Sequence, residues 1–152
     1  MLQIVPTHWY SWNFTVTDES RPVADIATTG WRKTGVLTID DARYEVSRET
    51  PISGDFVLQH DGNVLARAGK PSIFRRDFVI QHDGHEYRLA PKSLFGRTHV
   101  LLDESREIGS VAPENAFTRH AAADLPHDLP LPVRMFVVWL TLLSWRRHQN
   151  SG

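Results

Sequence analysis

A near-identical heptapeptide occurs twice in this chain and constrains its fold more than any other feature. FVLQHDG occupies residues 56–62 and FVIQHDG occupies residues 78–84. Each copy lies between runs in which apolar and polar residues alternate, the pattern of two strands joined by a tight turn. Asp61-Gly62 and Asp83-Gly84 are dipeptides that accept the two positive φ angles of a type I′ turn. The repeats therefore predict two antiparallel hairpins.

Two-residue loops also predict which residues face each other across each hairpin. The expected pairs are His60 with Asn63, Leu58 with Leu65, His82 with His85, and Ile80 with Tyr87. In this register one face of each hairpin is apolar, so each hairpin can bury that face against a core.

The same alternation continues along most of the chain and predicts five hairpins in all. Their strands are expected at residues 12–17 with 23–28, 35–39 with 43–48, 56–60 with 63–68, 73–82 with 85–90, and 98–102 with 107–111. A further strand is expected at residues 116–121. Many short strands separated by regular turn signals are typical of a β-sandwich or β-barrel.

The alternation stops after Asp124, where a proline-rich segment leads into an apolar helix. We expect this helix at residues 133–147, with Asp128 as a candidate N-cap. Apolar residues cover nearly every direction around it, which is typical of a helix in a protein core or in a membrane. The apolar run is shorter than the about 20 residues that span a bilayer, and Arg134 interrupts it. We therefore predict a buried helix whose core residues are Phe136, Trp139, Leu140 and Leu143.

The polar residues of this helix recur at helical spacing along one narrow stripe. They are Arg134, Thr141, Ser144 and His148. We interpret the stripe as the one edge of the helix that reaches the protein surface. Membrane association through the helix and an oligomer interface are the alternatives.

Hairpins followed by one hydrophobic C-terminal helix resemble the tubby-like superfamily, in which a closed β-barrel surrounds a central apolar helix. The chain is similar in style to the LURP-one-related proteins and, more distantly, to phospholipid scramblases. The resemblance rests on Val23-Ala24-Asp25-Ile26, on Ile108-Gly109-Ser110-Val111 and on the final helix. It implies a single domain over residues 1–152, a mostly β fold in which a closed antiparallel barrel of hairpins surrounds a buried C-terminal helix.

The same resemblance implies a function. Tubby proteins bind phosphoinositides through basic residues on the barrel, and scramblases suggest a link to lipids. A barrel filled by a helix leaves no ligand cavity of the lipocalin type. The resemblance therefore implies a non-enzymatic module that binds anionic phospholipid headgroups. The alternative is a small protein-interaction or structural domain without lipid binding, which an exposed aromatic patch in place of a basic one would indicate.

Basic residues around the second repeat are the candidates for headgroup binding. Strand pairing places Arg75, Arg76, Lys92 and Arg97 at one end of the barrel, where Lys70 and Arg67 can join them. Arginine side chains bind phosphate through paired N–H donors. A solvated rim of alternating charges is the other interpretation of these residues. Trp9, Tyr10 and Trp12 form an aromatic cluster that we expect to plug the barrel base; exposure for a binding partner is the alternative.

Composition excludes several classes of function. The chain has 17 basic and 18 acidic residues, so its net charge of −1 provides no overall attraction to nucleic acid. The absence of cysteine excludes disulfides, zinc–thiolate sites and cysteine nucleophiles. The N-terminus lacks the basic start and long apolar run of a signal peptide. We expect a cytoplasmic protein, peripheral to the membrane and not integral to it, whose partner is an anionic lipid or a protein.

Catalytic and metal-binding patterns are weak. His82 and His85 flank one turn and His60 has the equivalent position in the sister hairpin, but zinc needs a third ligand and an oriented second shell. Solvated turn tips are the other interpretation of these histidines. The sequence contains no Gly-x-Ser-x-Gly elbow and no phosphate-cradling glycine loop. We therefore expect no enzyme activity, cofactor or metal; a metal-dependent or serine hydrolase is the alternative.

Overall fold

A computed structural model describes residues 1–8, 11–29, 34–50, 55–71, 76–115 and 119–151. Twelve strands precede one helix. The strands are β1 Leu2–Pro6, β2 Phe14–Asp18, β3 Arg21–Thr29, β4 Thr34–Ile39, β5 Ala42–Arg48, β6 Phe56–His60, β7 Asn63–Gly69, β8 Phe78–His82, β9 His85–Pro91, β10 His99–Asp103, β11 Arg106–Pro113 and β12 Ala121–Asp124. The helix, α1, spans Leu131–Ser151.

The strands form a closed barrel with the simplest possible connectivity. Each strand pairs antiparallel with the next one along the chain, and β1 closes the barrel by pairing with β12. Closure leaves no free edge strand that could pair with another chain. The predicted mostly β fold, with a closed antiparallel barrel of hairpins and one C-terminal helix, is confirmed.

Five two-residue turns join the strands within the hairpins of the described residues, and the two predicted at Asp-Gly dipeptides have the expected geometry. Both central residues have positive φ in Asp61-Gly62 (50° and 82°) and in Asp83-Gly84 (51° and 75°). Glu19-Ser20, Asp40-Asp41 and Glu104-Ser105 adopt the same conformation without glycine. The right-handed twist of the flanking strands requires these turns, so the barrel holds three of them in a conformation that non-glycine residues rarely adopt.

The predicted pairs next to the turns are confirmed with one exception. His60 faces Asn63, His82 faces His85 and Ile80 faces Tyr87. Leu58, however, faces Ala66 and not Leu65, because a β-bulge shifts the register between Leu58 and Gln59. Such a bulge adds one residue to a strand and sharpens its twist.

The two strands that close the barrel, β1 and β12, differ from the sequence prediction. β1 was not predicted at all, and the last strand lies at Ala121–Asp124 instead of 116–121. β12 consists mainly of alanine, which has a low strand propensity. Pairing with β1 and β11 holds it in the sheet. β8 begins at Phe78, later than predicted.

The helix begins earlier and ends later than predicted. The Pro130 carbonyl accepts hydrogen bonds from the backbone N–H groups of Val133 and Arg134, so Pro130 occupies the cap position and Asp128 as N-cap is wrong. Proline is accepted in the first helical turn because its missing N–H would have no helical partner there. In the part of the chain that the structure describes, no helix is both long and apolar enough to cross a membrane.

Helix residues are buried on every side. Eight consecutive residues, from Met135 to Leu142, are 1% exposed or less, and eight residues cover more than two helical turns. Phe136, Trp139 and Leu140 are buried as predicted, whereas Leu143 is half-buried against the same core.

The interpretation of the polar stripe as a surface edge is wrong for Thr141. That residue is fully buried, and its hydroxyl donates to the Val137 carbonyl at 3.1 Å. The Ser144 hydroxyl likewise donates to the Leu140 carbonyl. A hydroxyl that bonds to the preceding turn can be buried without an unsatisfied donor. The side chain of His148 lies outside the described residues.

Candidate anion-binding end of the barrel

The two ends of the barrel are built differently. One, the turn end, carries the five type I′ turns. The other, the connection end, carries the longer segments that join one hairpin to the next. The C-terminal part of α1 belongs to the connection end, because the indole Nε1 of Trp145 donates to the backbone carbonyl of Arg97 at 2.7 Å.

Charge is divided between these ends. The turn end carries mostly acidic residues: Asp18, Glu19, Asp40, Asp41, Asp61, Asp83, Asp103 and Glu104. The connection end carries mostly basic residues: Arg48, Lys70, Arg76, Lys92, Arg97, Arg119, Arg146 and Arg147. The carboxylates among the described residues of that end are Glu49, Asp55, Asp77 and Glu114. A net charge of −1 therefore conceals a polarised barrel whose connection end attracts anions.

Aromatic rings lie beneath the cations of the connection end. The guanidinium of Arg97 lies 5.0 Å from the centroid of the Trp145 ring, and that of Arg147 lies 5.7 Å from Phe56. The remaining pairs are Lys70 over Phe78, Arg119 over Trp12 and Arg146 over Trp12. Cation–π contacts hold each charge above an apolar layer.

Within this positive surface the charge of Arg147 acts on Lys70 and that of Arg48 acts on Arg147, and we term these three residues the rim cluster. Burial lowers the pKa of the Lys70 ammonium, and the Arg147 guanidinium lowers it further, while Asp77 opposes both. Burial also lowers the pKa of Arg147, and Arg48 adds to the effect. The rim cluster therefore holds three like charges close together, an arrangement that a bound anion would stabilise.

Carboxylates do not neutralise the rim cluster fully. Lys70 and Arg147 form no ion pair with any carboxylate of the described residues, and the buried Nε of Arg147 has no hydrogen-bond partner there. Asp77, whose charge acts on Lys70, also forms an ion pair with Arg88 at 3.7 Å. Glu49 forms an ion pair with Arg67, so the charge of Arg67 is neutralised and does not add to the predicted basic group.

The structure brings the described members of the predicted cluster together around one connection, residues 92–98. Arg76 donates from Nη2 to the Leu94 carbonyl at 3.3 Å, and Arg97 donates from Nη2 to the Asn115 carbonyl at 2.9 Å. Lys92 is exposed on the same segment. Arg75 lies outside the described residues. Arg76 and Arg97 thus position the connection as well as adding charge to it.

A buried histidine supports this connection from below. His99 is 5% exposed, and its Nδ1–H donates to the Arg97 carbonyl at 3.1 Å. Burial lowers the pKa of His99; the hydrogen bond to Arg97 opposes this shift, and the charge of Arg76 adds to it. His99 therefore favours its neutral form and adds no charge to the connection end near neutral pH.

The histidines beside the turns form hydrogen bonds within the sheet. Nδ1 of His60 donates to the Arg43 carbonyl at 3.1 Å, and Nδ1 of His82 donates to the Leu65 carbonyl at 2.8 Å. The strand of each repeat thus ends on a histidine whose ring bonds to a neighbouring strand. His85 contacts Asp103. Within the described ranges, no group of three or more His, Asp and Glu residues has metal-binding geometry.

The aromatic cluster predicted at the N-terminus is only partly described. Trp9 and Tyr10 lie outside the described residues, whereas Trp12 is half-buried and packs edge-on against Phe14 at 6.0 Å. Arg119 lies over Trp12 and donates to the carbonyls of Ser11 and His8. Arg119 therefore ties two connections together.

Sequence reasoning named Lys70 only as an additional member of the basic group and did not include Arg48 and Arg147 in it. A cation near a helix C-terminus is common because it complements the helix dipole, so Arg147 by itself does not indicate a charge cluster. The sequence signal that could have found them is their position: Arg48 ends a strand and Arg147 lies near the end of an apolar helix. Only the closure of the barrel shows that these ends meet.

Comparison of the chain with protein-family models, with curated proteins and with solved structures found no match. The tubby-like resemblance therefore stays a prediction from the residues.

Proposed function

We propose that the connection end binds the phosphate groups of anionic phospholipid headgroups and that the protein is a non-enzymatic binding module. The observation that carries this proposal is the rim cluster. Its half-buried Lys70 and Arg147 repel each other, and neither forms an ion pair within 4 Å of a carboxylate of the described residues, although the charge of Asp77 acts on Lys70 from further away. A protein holds like charges together at a cost in free energy. A bound phosphate removes that cost and accepts several charge-assisted hydrogen bonds.

We infer further that α1 lies along the inside of the barrel. Burial on every side of the helix supports this position. So does Gly35, since a Cβ atom at that strand residue would lie 2.4 Å from Nε1 of Trp139. A helix in this position fills the interior, so a ligand has to bind at an end of the barrel and not inside it.

The tubby-like resemblance agrees with the proposal, because tubby proteins bind phosphoinositides through basic residues on a barrel. On this proposal the protein acts at the surface of a membrane, as a peripheral protein. Exposed lysine and arginine side chains each contribute about 1 kcal/mol of attraction to an anionic leaflet.

Vesicle flotation tests the proposal directly. We expect the protein to float with vesicles that contain phosphatidylserine or a phosphoinositide, and not with neutral phosphatidylcholine vesicles. Binding should weaken as salt rises from 0.05 to about 0.3 M, because screening shortens the range of the attraction. The double variant Lys70→Gln/Arg147→Gln should lose most of this binding.

The matched control removes two cations from the turn end, where Arg21→Gln/Arg43→Gln produces the same change in net charge. Both variants should keep the parent's circular dichroism, and Lys70→Gln/Arg147→Gln should unfold at a temperature no lower than the parent's, because it removes two charges that repel each other. Equal loss of binding in the two variants would show that overall charge and not the rim cluster controls binding. Absence of binding to every vesicle would reject the proposal and favour a protein partner.

A further inference from the structure

Two large apolar side chains are mostly exposed to solvent at the basic end of the barrel. Leu94 is 80% exposed and Phe95 is 98% exposed, and they are adjacent in the connection between β9 and β10. Nothing in the packing of the domain requires them, because neither contributes to the core. Single exposed apolar residues are common, but an adjacent pair on a projecting connection indicates a binding surface.

Hydrogen bonds give this connection a defined shape. The Lys92 N–H donates to the Thr98 carbonyl at 2.9 Å and closes the base. The Gly96 N–H donates to Oγ of Ser93 at 3.2 Å near the tip. Arg76 holds the Leu94 carbonyl, as described above. A connection held in this way loses little conformational freedom on binding, which favours association.

The chemistry around the tip matches an anionic bilayer. Lys92 and Arg97 flank the two apolar residues, and Arg76 lies beside them. Peripheral proteins enter the boundary between headgroups and acyl chains in this arrangement: their cations lie at the level of the headgroups and their apolar side chains reach beyond them. A protein partner fits less well, because two side chains provide far less than the about 800 Å² that each partner buries in a stable interface.

We propose that the connection formed by residues 92–98 inserts Leu94 and Phe95 into the interfacial region of an anionic bilayer. The inference rests on the proposed function and deepens it: the ligand of the connection end is a membrane surface and not a free phosphate compound. Insertion at this one tip also orients the barrel, with the acidic turn end away from the membrane.

The first experiment compares Leu94→Ser/Phe95→Ser with the control Val64→Ser. Val64 is 42% exposed in β7, one residue from the strand end that adjoins the Asp61-Gly62 turn. We expect the double variant to bind phosphoinositide vesicles on the order of 100-fold more weakly. It should bind soluble inositol trisphosphate as tightly as the parent, measured by calorimetry. Val64→Ser should leave both affinities unchanged.

The second experiment locates the tip in the bilayer and does not remove Phe95. The chain has no cysteine, so Leu94→Cys or Val64→Cys introduces a single labelling site. A nitrobenzoxadiazole probe at position 94 should shift to the blue and brighten on addition of anionic vesicles, and doxyl-labelled lipids should quench it. The probe at position 64 should not respond.

The two proposals fail differently. Unchanged vesicle binding by Leu94→Ser/Phe95→Ser, together with a silent probe at position 94, would overturn the insertion while leaving headgroup binding intact. Equal loss of vesicle and inositol trisphosphate binding would also overturn it, because the connection would then act on the phosphate site itself. A parent protein that binds neither the phosphoinositide vesicles nor soluble inositol trisphosphate would overturn both proposals.

Discussion

Trp145 donates a 2.7 Å hydrogen bond from its indole Nε1 to the backbone carbonyl of Arg97, 48 residues earlier in the chain. The same carbonyl accepts a hydrogen bond from Nδ1 of His99. The guanidinium of Arg97 lies over the Trp145 ring. One peptide unit therefore joins the helix, the basic end and the connection that carries Leu94 and Phe95.

Replacing Trp145 with phenylalanine tests this junction. Trp145→Phe removes the donor to Arg97 and should lower the free energy of unfolding by about 1 kcal/mol, measured by urea denaturation. The control is Trp139→Phe in the same helix, whose buried Nε1 has no hydrogen-bond partner among the described residues. Trp139→Phe removes an unsatisfied donor together with some packing volume. It should therefore lower the free energy of unfolding less than Trp145→Phe does. A larger loss for Trp139→Phe would contradict the importance of the junction.

Gly35 tests how closely the helix approaches the sheet. Gly35→Ala places a Cβ atom 2.4 Å from Nε1 of the buried Trp139, which cannot move without displacing its neighbours. We expect a loss of about 1–3 kcal/mol by thermal or urea unfolding. In Trp139→Leu the added methyl occupies vacated space, so the two changes together should cost less than their sum. Gly96→Ala on the exposed connection is the control and should have little effect. Additive losses would argue against direct contact.

Two equivalent turn positions, one serine and one glycine, allow a reciprocal pair of substitutions to be compared. Ser105 has φ 75° and Gly84 has the same φ, each at the second position of a two-residue turn. Ser105→Gly relieves a left-handed conformation and should stabilise the protein by on the order of 0.5 kcal/mol. Gly84→Ser should destabilise it by on the order of 1 kcal/mol. Changes of the same sign in both variants, measured by thermal unfolding, would contradict this interpretation of the turns.

His99 predicts that stability declines in mild acid. Its folded pKa is lowered, mainly by burial, from an ordinary value of 6.5. Between the two values the unfolded chain binds more protons than the folded one, so the free energy of unfolding falls as pH drops below about 6.5 and levels off beneath the folded pKa. His99→Asn retains a donor near the Nδ1 position and cannot titrate. The variant should therefore lose this part of the pH dependence, measured by urea unfolding between pH 5 and pH 8. A parent with constant stability across this range would disprove the shift.

Local chemistry made much of this fold predictable. Asp-Gly dipeptides specify type I′ turns because aspartate and glycine accept positive φ more readily than other residues. Alternation of apolar and polar residues specifies strands with one buried face, and Phe136, Trp139 and Leu140 specify a helix that has to be buried. Each of these properties depends on residues close together in the chain, so the sequence alone reveals them.

Register along the strands was less predictable. The bulge that sets Leu58 against Ala66 has no signature in the alternation of the hairpin. It belongs to the twist that the strands need in order to close a barrel. The pairing of Leu58 was therefore wrong, although the turn beside it was right.

The sequence by itself determined the hairpins, the two Asp-Gly turns and the apolar helix, because these depend on conformational preferences and periodicities within short segments. Only the tertiary structure decided that β1 and the alanine-rich β12 are strands, since pairing between distant segments holds them there. It also decided that Arg48, Lys70 and Arg147 form one cluster. The physical reason is closure: a barrel brings strand ends and the helix end to one rim, where charges far apart in the chain come close enough to interact.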